Sequence, residues 1–144
     1  MTMVDITDKE NVPRSAVASG KIMLSAQALE AIKAKQVKKG DPLEAAKIAG
    51  MQAVKNTPSI LPHCHQINIT GMELDFQLHD DGITCSCTVK AIYKTGVEMD
   101  ALCGATVALL TIWDMVKYLE KDEGGQYPDT RITDIKVVSK RKGE

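Results

Sequence analysis

At 144 residues, 44% of them apolar, the chain has the size and composition of a single domain with its own core. A formal net charge of -1 and an aromatic content of 3% exclude a general basic field or a base-stacking surface for nucleic acid. Met1 to Pro13 carries acids and no apolar leader run, and the longest apolar stretch, Ala105 to Ile112, is too short to span a bilayer. The protein is therefore expected to be soluble and cytoplasmic. Cys64, Cys85, Cys87 and Cys103 lack the spacing of a small secreted disulfide scaffold and read as reduced thiols.

Taken in chain order, residues 1–13 are polar and expected to be loosely ordered. Ala16 to Leu24 reads as a strand. Ser25 is placed to cap a helix from Ala26 to Lys39, with Leu24 and Leu29 as a hydrophobic staple and Gly40 as its stop. Asp41 and Pro42 open a second helix that runs to about Lys55. Its face of Ala45, Ala46, Ala49, Gly50 and Ala53 permits close packing. Asn56 to His65, with two prolines, reads as a loop.

Leu74, Phe76 and Leu78 alternate with polar residues up to the turn at Asp80-Asp81-Gly82. Ile83, Cys85, Cys87, Val89 and Ala91 alternate after it, which predicts a β-hairpin. Val97 to Lys121 reads as a long helix ended by Gly124-Gly125. Arg131 to Ser139 is the last strand, and residues 140–144 form a loose basic tail. The order β-α-α-β-β-α-β predicts one α+β domain over residues 1–144, a ferredoxin-like antiparallel sheet with helices on one face and one extra helix.

Three groups of residues invite a functional reading. The long helix is apolar nearly all round, so it is expected to be buried on more than one side, by a second subunit as well as by its own domain. Asp114 and Lys117 stand in that run, three apart and therefore neighbours. They are either an ion pair satisfied at an interface or an acid and base tuned by burial. His63-Cys64-His65 on an extended loop could face a ligand or, with Cys85 and Cys87, a zinc ion. The missing Cys-x-x-Cys spacing favours thiols packed in the core instead. Lys38-Lys39-Gly40-Asp41 puts cations beside a helix N-terminus, where they either bind an anion or simply close the preceding helix in solvent. No Walker or Rossmann glycine pattern occurs.

These same segments carry a resemblance. Met3-Val4-Asp5-Ile6, Arg14, Lys39-Gly40-Asp41, Ala46 to Ala53, Leu61 to His65, Lys94 to Leu102 and Ala108 to Lys117 are similar, in order, to the motifs of the cyclic pyranopterin monophosphate synthase family. His63, Gln66 and Asp100 depart from that pattern, where Leu, Pro and Glu are usual. The tail lacks the family's glycine-rich ending. The resemblance implies conversion of 3′,8-cyclo-7,8-dihydro-GTP to cyclic pyranopterin monophosphate with release of pyrophosphate, in molybdenum-cofactor biosynthesis. It implies a homohexamer built as a trimer of dimers with active sites between subunits. It assigns Lys39, Asp114 and Lys117 to catalysis. His63, Cys64, His65, Glu98, Met99 and Asp100 would hold the base-derived ring, and Arg14 and Lys140 the triphosphate. No metal or other cofactor is required, although Mg2+ could accompany the triphosphate.

Two rivals belong to other classes: a non-catalytic adaptor of the same pathway, and a metal-dependent nucleotide hydrolase using His63 and His65. Turnover of the cyclised GTP separates the first, and metal content the second.

Overall fold

The computed structural model describes residues 1–143, in one antiparallel sheet with helices against one face. The elements are β1 (Val12–Met23), α1 (Ala26–Lys33), α2 (Pro42–Lys55), α3 (Thr57–Ile60), β2 (Ile69–His79), β3 (Gly82–Tyr93), α4 (Glu98–Glu120) and β4 (Arg131–Lys142). The sheet order is β2-β3-β1-β4 and every neighbouring pair is antiparallel. This is the ferredoxin-like arrangement that the order of elements predicts.

Alternation places the core. Ala16, Ala18 and Ile22 of β1 and Ile83, Cys85, Cys87, Val89 and Ala91 of β3 are buried towards the helices. Leu109, Ile112 and Val116 of α4 meet them there. Cys85 and Cys87 are thus core side chains, and burial pushes both thiols up to about 12. The hairpin closes with Leu78 opposite Ile83 and His79 opposite Gly82, leaving Asp80 and Asp81 as a two-residue turn. Helices α2 and α4 cross at Gly50 and Gly104. A Cβ on Gly50 would sit 3.0 Å from the Gly104 carbonyl oxygen, so glycine is what lets the two backbones approach.

Helix α1 stops six residues before the expected Lys39. Its C-terminus is a Schellman turn: the Gln36 N–H donates to the Ala31 carbonyl and the Lys35 N–H to that of Ile32. Lys35 takes the left-handed conformation (φ 57) that glycine usually supplies. The turn sends buried Val37 back to the core and the Lys38 N–H onto the Tyr118 hydroxyl of α4. Asp41 caps α2 through the Leu43 and Glu44 N–H groups.

Four further expectations change. The Asn56 to His65 segment contains α3, because the Thr57 hydroxyl, fully buried, donates back to the end of α2. β1 begins at Val12. β4 runs through Lys142, because Arg14, Ser15 and Ala16 pair with Lys142, Arg141 and Lys140. Helix α4, at 23 residues, is long and apolar enough to cross a membrane, unlike its shorter apolar run. Half of it is nevertheless buried inside this fold, which is how a core helix satisfies that test.

Candidate functional site

Two groups of candidate functional side chains lie at opposite ends of α4. At its C-terminal half, Asp114 Oδ1 stands 3.5 Å from Lys117 Nζ, the neighbour three residues on, and 3.6 Å from Lys39 Nζ. Lys39 also donates to the Asp114 carbonyl oxygen at 3.0 Å. The tight loop after α1 makes this possible. Gly40, at φ 119, turns the chain immediately after Lys39, and the Lys38–Tyr118 hydrogen bond holds the loop against α4. One carboxylate oxygen therefore organises two ammonium groups 75 and 3 residues away in sequence.

The sequence reading expects Asp114 and Lys117 to be buried with the help of a second subunit, and the protomer by itself leaves the trio exposed. The side chains of Asp114, Lys117 and Lys39 are 61%, 43% and 44% exposed. The reason is that α4 spends its apolar surface unevenly. Ala105, Ala108, Leu109, Ile112 and Val116 face the sheet, whereas Leu110, on the same outer side as Asp114, is 56% exposed. The sheet and α2 cover α4 between them, and the side that carries Leu110 and Asp114 stays open.

At the N-terminal end of α4 lies a cavity of about 300 Å³. His63, Cys64 and His65 come from the loop after α3, and Glu98, Met99 and Asp100 from the first turn of α4. The sequence grouped these six residues and the structure brings them together. It adds residues that the sequence reading passed over: Val4, Ile6 and Lys9 of the N-terminal segment form one wall. That segment is pinned where His65 Nε2 donates to the Val4 carbonyl (2.7 Å) and Lys94 Nζ to that of Thr7 (3.0 Å). Its polarity suggested disorder, and only these long-range bonds reveal its place.

The cavity is acidic on the α4 side. Asp100 is only 5% exposed, and burial, reinforced by the charge of Glu98, raises its carboxyl to about 6, against the hydrogen bonds that favour its ionised form. Burial likewise raises the Cys64 thiol. Glu98 packs over Gly96, where any Cβ would collide with its carboxylate, so Gly96 is what allows that carboxylate into the wall. Lys140 Nζ approaches Glu98 Oε1 at 3.4 Å, which joins Lys140 to this group. Arg14 does not join it. Its guanidinium is held by the carbonyls of Tyr93 (3.4 Å) and Lys94 (3.2 Å), beside a different cleft. Among the described residues no three His, Cys, Asp or Glu side chains converge as a metal-ion site would require.

Residues 3–143 match the MoaC family profile. The chain belongs to the MoaC family. It is 57% identical over 142 residues to a protein of Thermococcus kodakarensis named a probable cyclic pyranopterin monophosphate synthase, covering 99% of this chain and 91% of the other. A protein of the same name from Archaeoglobus fulgidus is 56% identical over 98% of this chain and 90% of its own. One from Thermoplasma acidophilum is 49% identical over 97% and 98%. The MoaC likeness thus spans both ends of α4 and the N-terminal segment that walls the cavity.

Proposed function

We propose that this protein is a cyclic pyranopterin monophosphate synthase of molybdenum-cofactor biosynthesis, converting 3′,8-cyclo-7,8-dihydro-GTP to cyclic pyranopterin monophosphate and pyrophosphate. The observation that carries the reading is the pair of residue groups on α4 within a chain of this family. One is a half-enclosed cavity with carboxylates for a guanine-derived ring. The other is a Lys-Asp-Lys cluster suited to proton transfer. Opening a purine-derived ring and reclosing it as a pterin requires repeated proton transfers, and positioned acids and bases supply them.

In this reading Glu98 and Asp100 accept hydrogen bonds from the ring's N–H groups, and His63, Cys64, His65 and Met99 shape the rest of the pocket. Lys39 and Lys117 exchange protons, with Asp114 fixing their ammonium groups. Lys140 and Arg14 bind phosphate oxygens, Arg14 from its anchored position. No step calls on a metal; Mg2+ would enter only as a counter-ion of the triphosphate.

The geometry also supports an oligomer. Sixteen residues of a straight helix separate Glu98 from Asp114, a rise of about 24 Å. A general acid or base must come within about 3 Å of the proton it moves, so one protomer cannot bring both groups to one ring. A subunit that lays its Lys39-Asp114-Lys117 face against another's cavity would complete the site. It would also cover Leu110 and strip water from the lysines, the condition under which lysine serves as a general acid or base. A cytoplasmic homohexamer of three dimers fits this requirement.

The test is incubation of the purified protein with enzymatically prepared 3′,8-cyclo-7,8-dihydro-GTP. One pyrophosphate and one cyclic pyranopterin monophosphate per substrate are expected. Unchanged substrate at equimolar enzyme would overturn the assignment.

A further inference from the structure

The C-terminal end of α4 does more than carry Asp114 and Lys117. One turn beyond Asp114, Tyr118 is half-buried, and its ring packs against the core. Its hydroxyl therefore stands at a fixed point, where it accepts the Lys38 N–H at 2.9 Å. The same ring lies 5.3 Å from Lys38 Nζ, within cation–π reach. One residue thus holds Lys38 by both its backbone and its side chain, and Lys39 is the next residue in the chain.

The loop around Lys39 is anchored on both sides. Upstream, Lys35 ends α1 in the left-handed conformation and Val37 is buried. Downstream, the Gly40 N–H donates to the Val37 carbonyl at 3.1 Å, and Asp41 caps α2. The Lys39 side chain itself is exposed and meets α4 at Asp114. A long lysine side chain gives up much rotamer freedom when it is fixed, and an exposed ion pair at 3.6 Å repays little of that. Bringing the backbone against α4 beforehand narrows the positions from which the side chain reaches out. The Tyr118–Lys38 hydrogen bond does this. In a continuous α-helix the Tyr118 N–H also points at the Asp114 carbonyl, the oxygen to which Lys39 Nζ donates. Tyr118 therefore steadies both ends of the Lys39 contact: the residue before the lysine and the carbonyl that receives it.

We propose that Tyr118 is a positioning residue for Lys39, holding the Lys39 ammonium on Asp114 through the Lys38 N–H. Its catalytic consequence rests on the synthase reading; the placement of Lys39 rests on the loop geometry alone. The phenol moves no proton in this role. It accepts one hydrogen bond and thereby fixes its neighbour.

The experiment compares full-length Tyr118→Phe, which keeps the ring and removes the hydroxyl, with Lys38→Gln, which keeps the N–H and removes the side-chain cation. The Lys38 N–H is exposed, so water replaces the lost acceptor and the fold survives. Two quantities are recorded: steady-state turnover of 3′,8-cyclo-7,8-dihydro-GTP, and the 13C spectrum of protein labelled at the lysine ε-carbons. The Lys39 signal is identified by its loss in Lys39→Arg. Tyr118→Phe should lower kcat roughly tenfold with KM near the parent value. It should also shift the Lys39 signal, while those of Lys47 and Lys55 on α2 stay in place. Lys38→Gln should change neither quantity. An unchanged kcat in Tyr118→Phe, a fall in kcat with the Lys39 signal unmoved, or equal losses in both variants would overturn the proposal. A parent protein without turnover sinks the synthase reading by itself. The Lys39 signal then decides the placement: a shift in Tyr118→Phe supports it, and no shift overturns it.

Discussion

Lys39 and Asp114, 75 residues apart in sequence, are joined twice: the lysine donates to the aspartate's backbone carbonyl at 3.0 Å and faces its carboxylate at 3.6 Å. Lys117 meets the same carboxylate oxygen from the next turn of α4. All three side chains are exposed in the protomer, so the ion pairs contribute little to folding, about 0–1 kcal/mol each. Lys117→Ala, Lys39→Ala and Asp114→Asn should therefore leave the melting temperature of the domain within a few degrees of the parent while removing turnover. A Lys117→Ala protein that folds, assembles and releases pyrophosphate at the parent rate would reject the catalytic role.

Asp100 gives a pH signature. Its carboxyl is raised to about 6 by burial and by Glu98, from 3.8 in an open chain. The folded state therefore holds this proton more tightly than the unfolded chain. Stability from this source is complete below about pH 4 and falls as pH rises towards 6, after which the loss is constant. Asp100→Asn should gain about 1–2 kcal/mol at pH 7.5, since solvent in the cavity screens part of the full effect, and gain nothing at pH 4. Urea unfolding of both proteins at the two pH values measures it. Turnover should fall in the same variant, because the ring loses a charged acceptor.

Lys35 occupies a left-handed position that costs a side-chain-bearing residue roughly 1–2 kcal/mol. The residue is exposed. Lys35→Gly should raise stability by about 1 kcal/mol, seen as a higher urea midpoint with an unchanged slope. A lower midpoint would mean that the Lys35 side chain makes a contact worth more than the strain.

Gly104 should tolerate nothing larger. A Cβ there would lie 2.7 Å from both Cys87 Sγ and Val54 Cγ2, inside the α2–α4 crossing. Gly104→Ala should cost about 1–3 kcal/mol through overpacking, and Gly104→Val more. Thermal melts of the two variants test the order. A melting temperature for Gly104→Ala equal to the parent's would show that the crossing is looser than these distances imply.

The legible parts of this chain are those whose signals are local. The hairpin follows from alternation around Asp80-Asp81, the capping of α1 and α2 from Ser25 and Asp41, and the grouping of His63 to His65 with Glu98 to Asp100 from the motifs that carry them. What the sequence hides is set by distant partners. The end of α1 at Lys35 needs Val37 in the core and Tyr118 on α4, and no glycine announces it. The N-terminal wall of the cavity depends on His65 and Lys94. The exposure of Asp114 and Lys117 depends on which side of α4 the sheet takes, and an all-round apolar helix does not say. Arg14, expected with Lys140 at the triphosphate, lies apart from Lys140 because the carbonyls of Tyr93 and Lys94 hold its guanidinium.

The 24 Å between the two ends of α4 makes the central claim directly testable, because the proposed mechanism requires each active site to borrow from two subunits. Lys117→Ala and Asp100→Ala proteins, each inactive alone, should be dissociated, mixed, reassembled and assayed for pyrophosphate release from 3′,8-cyclo-7,8-dihydro-GTP. A mixed oligomer contains sites that combine an intact cavity from one subunit with an intact Lys39-Asp114-Lys117 cluster from the other. The account predicts that activity returns in the mixture and in neither reassembled parent. An inactive mixture, beside wild-type protein that regains activity through the same treatment, would contradict it.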